Sequence, residues 1–225
     1  MMFAKLPRWI VAGGALLAFV AGIVNACGFL GVQHQGITHL TGTTTLLGIA
    51  AGDRDLPALL HLAATIAAFI TGCVASGMIV QDSTLRLGRR YGVVLMIEGG
   101  LLAIAVPLLT RGHVAGDYLA SAACGLQNAM ASTYSGAVLR TTHFSGTLTD
   151  LGIFLGHRLR GLPVDARRVR LLLALVLSFF SGAIAGTWLF RTHGYAALYV
   201  PAVMTFGIGI AYGAYHHWRV RHARR

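Results

Sequence analysis

The sequence predicts an all-α integral membrane protein made of two inverted repeats, each with three transmembrane helices and one re-entrant half-helix. Three observations carry that prediction. Of 225 residues, 56% are hydrophobic and 11% charged, with a mean hydropathy of +0.68; soluble domains carry about a quarter charged residues, so this chain lacks the polar surface to face water. One stretch occurs twice, His39-Leu40-Thr41-Gly42-Thr43-Thr44-Thr45-Leu46-Leu47-Gly48-Ile49-Ala50-Ala51-Gly52 and, 104 positions later, His143-Phe144-Ser145-Gly146-Thr147-Leu148-Thr149-Asp150-Leu151-Gly152-Ile153-Phe154-Leu155-Gly156, which marks an internal duplication. Finally, the formal net charge of +11 is spread between apolar runs and at the C-terminus. That distribution reads as topology signals and not as a nucleic-acid face.

The chain reads as a single membrane domain over 1–225, with one repeat at about 9–110 and the other at about 113–217. After a short basic head, the apolar run Trp9–Gly31 makes the first span. Val24-Asn25-Ala26-Cys27 faintly resembles a lipoprotein cleavage box, but the run is too long for the apolar h-region of a signal peptide and Asn25-Ala26 recurs as Asn128-Ala129. Residues 32–38 form a polar link to the first half-helix. The turn Gly52-Asp53-Arg54-Asp55-Leu56-Pro57 follows, with a proline suited to a helix start, and then a second span to about Gln81. A basic loop, Asp82–Arg90, precedes the third span, Gly92–Thr110. The second repeat offers spans at Asp117–Leu139, Leu171–Phe190 and Gly194–His216, a basic loop at His157–Arg170 and a basic tail from Trp218. Within the later spans, Phe69-Ile70-Thr71-Gly72-Cys73-Val74-Ala75-Ser76 is echoed by Phe179-Phe180-Ser181-Gly182-Ala183-Ile184-Ala185-Gly186.

Each duplicated stretch opens like a helix, with Thr41 or Ser145 expected as a hydroxyl cap. From cap to closing glycine is about eleven residues, or roughly 16 Å, half of a hydrocarbon core of about 30 Å. If both half-helices re-enter, six spans put all of the 18 Lys and Arg residues on the cytoplasmic side except Arg54, Arg111 and Arg191. If both cross fully, eight spans leave Arg86, Arg89, Arg90, Arg140 and Arg191 outside. The positive-inside rule favours six, with both termini in the cytoplasm of a bacterial inner membrane. Three spans per half then turn the second repeat upside down, an architecture that binds solutes near the midplane between broken helices.

Several segments together resemble the YoaK-like family of multi-pass bacterial membrane proteins: Asn25-Ala26 with Gly28-Phe29, His39-Leu40-Thr41-Gly42, Gly125-Leu126-Gln127-Asn128-Ala129, and Thr141-Thr142-His143-Phe144-Ser145-Gly146-Thr147-Leu148-Thr149-Asp150-Leu151-Gly152. The resemblance covers most of the chain and implies an integral membrane protein, with no particular substrate. Two positions depart from the family pattern: Thr43 stands where Asn is usual and His143 where Tyr is common. Both departures bear on what is bound.

The half-helix starts are the expected site. Non-helical backbone at membrane depth must line a cavity or a tight contact, so Thr41, Gly42 and Thr43 with Ser145, Gly146 and Thr147 are expected to line a solute pocket. Two inward-facing helix N-termini suit an anion or the acceptor atoms of a polar solute, and the glycines would allow close approach. Asn25, Gln127 and Asn128 lie within spans and are expected to face inward, as solute contacts or as helix-to-helix glue. His39 and His143, before the caps, are candidates for gating or proton shuttling, or for hydrogen bonds to backbone. Glu98 and Asp150 are intramembrane acids, costly at such depth and therefore candidates for proton coupling; Asp150 could instead pair with an Arg or a helix N-terminus. Glu98 is the preferred carrier.

Cys27, Cys73 and Cys124 lie in apolar runs without metal-ligand spacing and read as space-filling thiols. No metal or cofactor site is expected. The sequence offers no nucleophile–base pair and no Gly-rich phosphate loop, so an intramembrane enzyme ranks low. Gly48-x-x-x-Gly52, Gly152-x-x-x-Gly156, Gly72-x-x-x-Ser76 and Gly182-x-x-x-Gly186 allow close helix packing, within one chain or in a homo-oligomer. The expected function is a transporter or channel for a small polar or anionic solute, the alternative a non-transporting scaffold or sensor.

Overall fold

A computed structural model describes residues 8–31, 37–81, 90–135 and 141–222. Every regular element among them is helical: α1 (Arg8–Leu30), α2 (Leu40–Gly52), α3 (Leu56–Val80), α4 (Arg90–Thr110), α5 (Ala115–Ser135), α6 (Phe144–Leu159), α7 (Ala166–His193), a 3-10 turn (Gly194–Leu198) and α8 (Tyr199–His222). Four stretches of the described residues are long and apolar enough to cross a membrane: Val11–Leu30, Leu56–Val80, Arg90–Thr110 and Ala166–Ala214, the last running through α7 into α8. Among the long helices, α5 falls outside this set because it carries Asp117, Ser121, Gln127, Asn128, Ser132 and Thr133. It tolerates them because no residue between Gly116 and Thr133 is exposed. A helix surrounded by protein does not need an apolar surface.

The elements start where local chemistry allows. Asp55 caps α3 by accepting from Ala58 N at 3.1 Å, with Pro57 in the first turn. Asp165 caps α7 by accepting from the amides of Arg167 and Arg168. Gly194, at φ +59°, ends α7 and starts the 3-10 turn, so the sixth expected span begins five residues late, at Tyr199. The expected basic loop at 82–89 and residues 32–36 and 136–140 lie outside the described residues.

The helices interlock across the chain's two halves. α1 packs mainly on α7, α3 on α5, and α4 on α8 and α5. α1 and α7 run parallel: a side chain at Gly182 would strike the Phe19 carbonyl, and one at Gly186 would strike the Ile23 backbone. α3 and α5 also run parallel. Along them, His61 Nδ1 lies 3.1 Å from the Tyr118 hydroxyl, Ser121 Oγ donates to Thr65 O (2.9 Å) and Cys73 Sγ donates to Gly125 O (3.3 Å). α4 and α8 are antiparallel, with Gly99 opposite Ala202 and Gly209 opposite Gly92. At each crossing a glycine brings backbones together, the packing available where lipid offers no hydrophobic drive.

The two duplicated helices sit at the rim, α2 against α3 and α6 against α7. Their starts correct the expected caps. Both helices begin two residues earlier, with His39 and His143 as N-caps and no side-chain cap hydrogen bond. Thr41 and Ser145 are already helical, and Thr43 and Thr147 donate their hydroxyls back to the carbonyls of His39 (3.2 Å) and His143 (3.0 Å). A threonine inside a helical turn satisfies its own hydroxyl on the i−4 carbonyl, so these side chains are not available as caps. At 13 residues α2 is about 20 Å long and at 16 residues α6 is about 24 Å, both short of a 30 Å core. α6 continues past Gly156 to Leu159.

Candidate functional site

Each short helix is held at its start by the same device. In the first half, Asn25 on α1 accepts through Oδ1 from Thr38 N (3.2 Å) and Thr38 Oγ1 (3.1 Å). In the second, Asn128 on α5 accepts from Thr142 Oγ1 (2.8 Å) and Thr141 Oγ1 (3.2 Å), and its Nδ2 donates to the Thr142 hydroxyl. Both amides are half-buried, and an amide in an apolar setting is costly unless bonded. These two asparagines are bonded to the residues just before the cap histidines, fixing where each helix begins.

The glycines Gly42 and Gly146 serve the histidines. A Cβ at Gly42 would collide with the His39 ring, and a Cβ at Gly146 with the His143 ring. Each ring therefore lies over the first turn of its own helix. This differs from the expectation that the glycines admit a ligand: the space is filled by the chain's own imidazoles.

Between the two helix starts lies a cavity of about 380 Å³. Residues 38–41 line it from one half and residues 142–145 from the other, with Phe69 and Cys73 of α3 and Asn128, Ala129 and Ser132 of α5 completing the wall. Of the expected site residues the cavity thus brings together Thr41, Ser145, His39, His143 and Asn128. Both histidines are exposed in the isolated chain. The wall is not symmetric. Phe144 packs against Phe179 in a tilted contact at a centroid separation of 4.3 Å, filling the α7 side, while Leu40 stands at the matching place in the first half. Phe69, the counterpart of Phe179, is left lining the cavity.

The other expected residues lie elsewhere. Thr43 is buried in α2, and Thr43 and Thr147 spend their hydroxyls on their own helices. Asn25 supports Thr38 without lining the cavity. Gln127 is 2% exposed and donates to Leu17 O at 2.8 Å, tying α5 to α1. Asp150 forms an ion pair with Arg168 (2.7 Å), whose guanidinium also lies 5.0 Å over the Phe154 ring. An acid paired in this way has its charge compensated, which removes the reason to read it as a proton carrier. Glu98 lies in the core of α4, 1% exposed, with Oε2 lacking any hydrogen-bond partner. It does not line the cavity.

Sequence reasoning passed over Thr38, Thr142, Phe69, Cys73 and Ser132. A signal existed for three of them: Thr precedes His in both copies, and Phe69 opens the segment echoed at Phe179. Among the described residues no group of three His, Cys, Asp or Glu side chains is placed to hold a metal.

With helices as the only regular elements among its described residues and several of them apolar and long enough to cross a bilayer, the chain is a multi-pass membrane protein. Residues 13–211 match the family described as "Protein of unknown function (DUF1275)", and the chain belongs to that family. It is 25% identical over 202 residues to the UPF0700 transmembrane protein YoaK of Bacillus subtilis (strain 168), covering 86% of this chain and 90% of that one. No solved structure matches significantly.

Proposed function

We propose that the protein is a transporter or channel of the bacterial inner membrane, carrying a small polar or anionic solute through a site between the starts of α2 and α6. The observation that carries this reading is the cavity lined by residues 38–41 and 142–145, positions that correspond one for one between the duplicated stretches. Hydroxyls, imidazoles and an amide converge there in an otherwise apolar bundle. Polar groups at membrane depth face water, solute or each other.

The two halves are inverted copies. Glycine contacts support this: the approach of Gly22 to Phe179 has its image in that of Gly125 to Phe69, and Gly182 to Phe19 in Gly72 to Ala122. Likewise Gly99 against Ala202 matches Gly209 against Gly92. Since α1 and α7 run together, α3 and α5 run together, and α4 opposes α8, an exchange of halves reverses every helix direction. A two-fold axis in the membrane plane does this. α2 and α6 then re-enter from opposite faces, both termini are cytoplasmic, and the cavity sits near the midplane. Glu98, a buried acid without a partner for Oε2, is the proton-coupling candidate, and His39 and His143 gate the cavity. No enzymatic role is assigned. The small-residue faces are available to a second copy of the chain.

Flux of small polar and anionic solutes in proteoliposomes, with and without a pH gradient, tests the reading. A carrier gives flux that responds to the gradient and a channel gives flux without coupling. A scaffold gives none, and absence of flux across a broad solute panel refutes the proposal.

A further inference from the structure

A second cavity, of about 510 Å³, lies between α6 and the start of α7, away from the helix starts. Its walls are apolar, formed by Leu151, Phe154, Val164 and Val169, and two exposed arginines, Arg158 and Arg170, border it. Asp150, the acid on the same pair of helices, is engaged with Arg168, which stacks on Phe154 from behind. Asp165 is occupied with backbone amides of α7. Neither acid forms an ion pair with Arg158 or Arg170.

The matching place in the first half has none of this character. α2 joins α3 through Asp53, Arg54 and Asp55 alone, a net negative connector, whereas α6 joins α7 through residues 160–165 with His157, Arg158, Arg160, Arg167, Arg168 and Arg170 around it. The duplicated scaffold has therefore been elaborated at one end only. A cavity with hydrocarbon walls and a cationic rim is matched by an amphiphile with an anionic head.

We infer that the groove between α6 and α7 binds an anionic phospholipid, with its phosphate between Arg158 and Arg170 and its acyl chains along Leu151, Phe154 and Val169. Basic pockets between membrane helices recognise such headgroups by charge, and the apolar walls exclude a bare ion as the preferred occupant. An occupant here braces α6, whose tertiary packing among the described elements is on α7 alone, and so bears on the position of the His143 cap. The inference stands whether or not the protein transports a solute.

Native mass spectrometry of the full chain in detergent, titrated with phosphatidylglycerol or phosphatidylcholine, tests it. Phosphatidylglycerol should be retained preferentially. The double variant Arg158→Ala/Arg170→Ala should lose about five-fold in affinity per arginine, roughly 25-fold together, whereas Arg111→Ala/Arg191→Ala, in the α4–α5 connector and at the far end of α7, should lose none. Val169→Trp, which fills the groove and keeps both arginines, should also release the lipid. Equal retention of the two lipids overturns the inference, as does unchanged binding in both groove variants. Displacement of phosphatidylglycerol by millimolar inorganic phosphate would assign the arginines to a free ion and overturn it too.

Discussion

Replacing Gly42 by Ala sets two effects of similar size against each other. Alanine is favoured over glycine in a helix by up to about 1 kcal/mol. Its Cβ, however, would stand 3.0 Å from Cε1 of His39 and closer still to Nδ1, against an ordinary separation of about 3.5 Å or more. The imidazole must rotate off its position, and a departure of about 30° from a rotamer costs about 0.5–1.5 kcal/mol. Gly42→Ala alone should therefore change stability little. In a His39→Ala background the obstruction is gone, and the same substitution should stabilise by up to about 1 kcal/mol. Unfolding of the four proteins in detergent should yield a coupling of about 0.5–1.5 kcal/mol between positions 39 and 42. The Gly146 and His143 pair, built alike, should repeat it. Flux should fall in Gly42→Ala, because the displaced ring borders the cavity. Additivity within about 0.3 kcal/mol in both halves would refute the ring-over-glycine account of these helix starts.

Asn128→Ala leaves the hydroxyls of Thr141 and Thr142 without their acceptor and should cost about 1–3 kcal/mol in a detergent unfolding assay while lowering flux; unchanged stability and flux would remove its role as an anchor. Gly99→Val places a Cβ 2.6 Å from Ala202 O and should destabilise by about 1–3 kcal/mol or more through overpacking. Gly100→Val, with open space at its Cβ, should not. Equal thermal shifts for the two variants would contradict the described α4–α8 contact. Glu98→Gln should abolish the response of flux to a pH gradient while preserving flux itself, and a retained response excludes Glu98 as the coupling group.

Much of the fold was legible because membrane helices announce themselves by length and apolarity. α1, α3 and α4 begin within two residues of the expected positions. The duplication exposed the site, since only a repeat could join His39 to His143 across a hundred positions. What sequence could not supply was where the short helices begin. Thr41 and Ser145 have the chemistry of caps, yet the histidines before them take the position, because the bonds of Asn25 and Asn128 to the preceding threonines set the chain's entry. Gln127 and Asn128 are adjacent in sequence, but they lie on different faces of α5 and have different jobs. A helix turns about 100° per residue, so neighbours part company. Which face met α1 depended on packing across the two halves, which no local pattern encodes.

The cross-half packing also governs how the protein comes into being. α1, α3 and α4 each find their principal neighbours in helices made later, α7, α5 and α8. While synthesis is under way, the surfaces around Gly22, Gly72 and Gly99 wait in the lipid for partners still to emerge from the ribosome. The first 110 residues therefore do not form a self-sufficient folding unit. Completion resembles the assembly of two subunits that happen to share one polypeptide, and the connector at residues 111–114 keeps the two at high effective concentration.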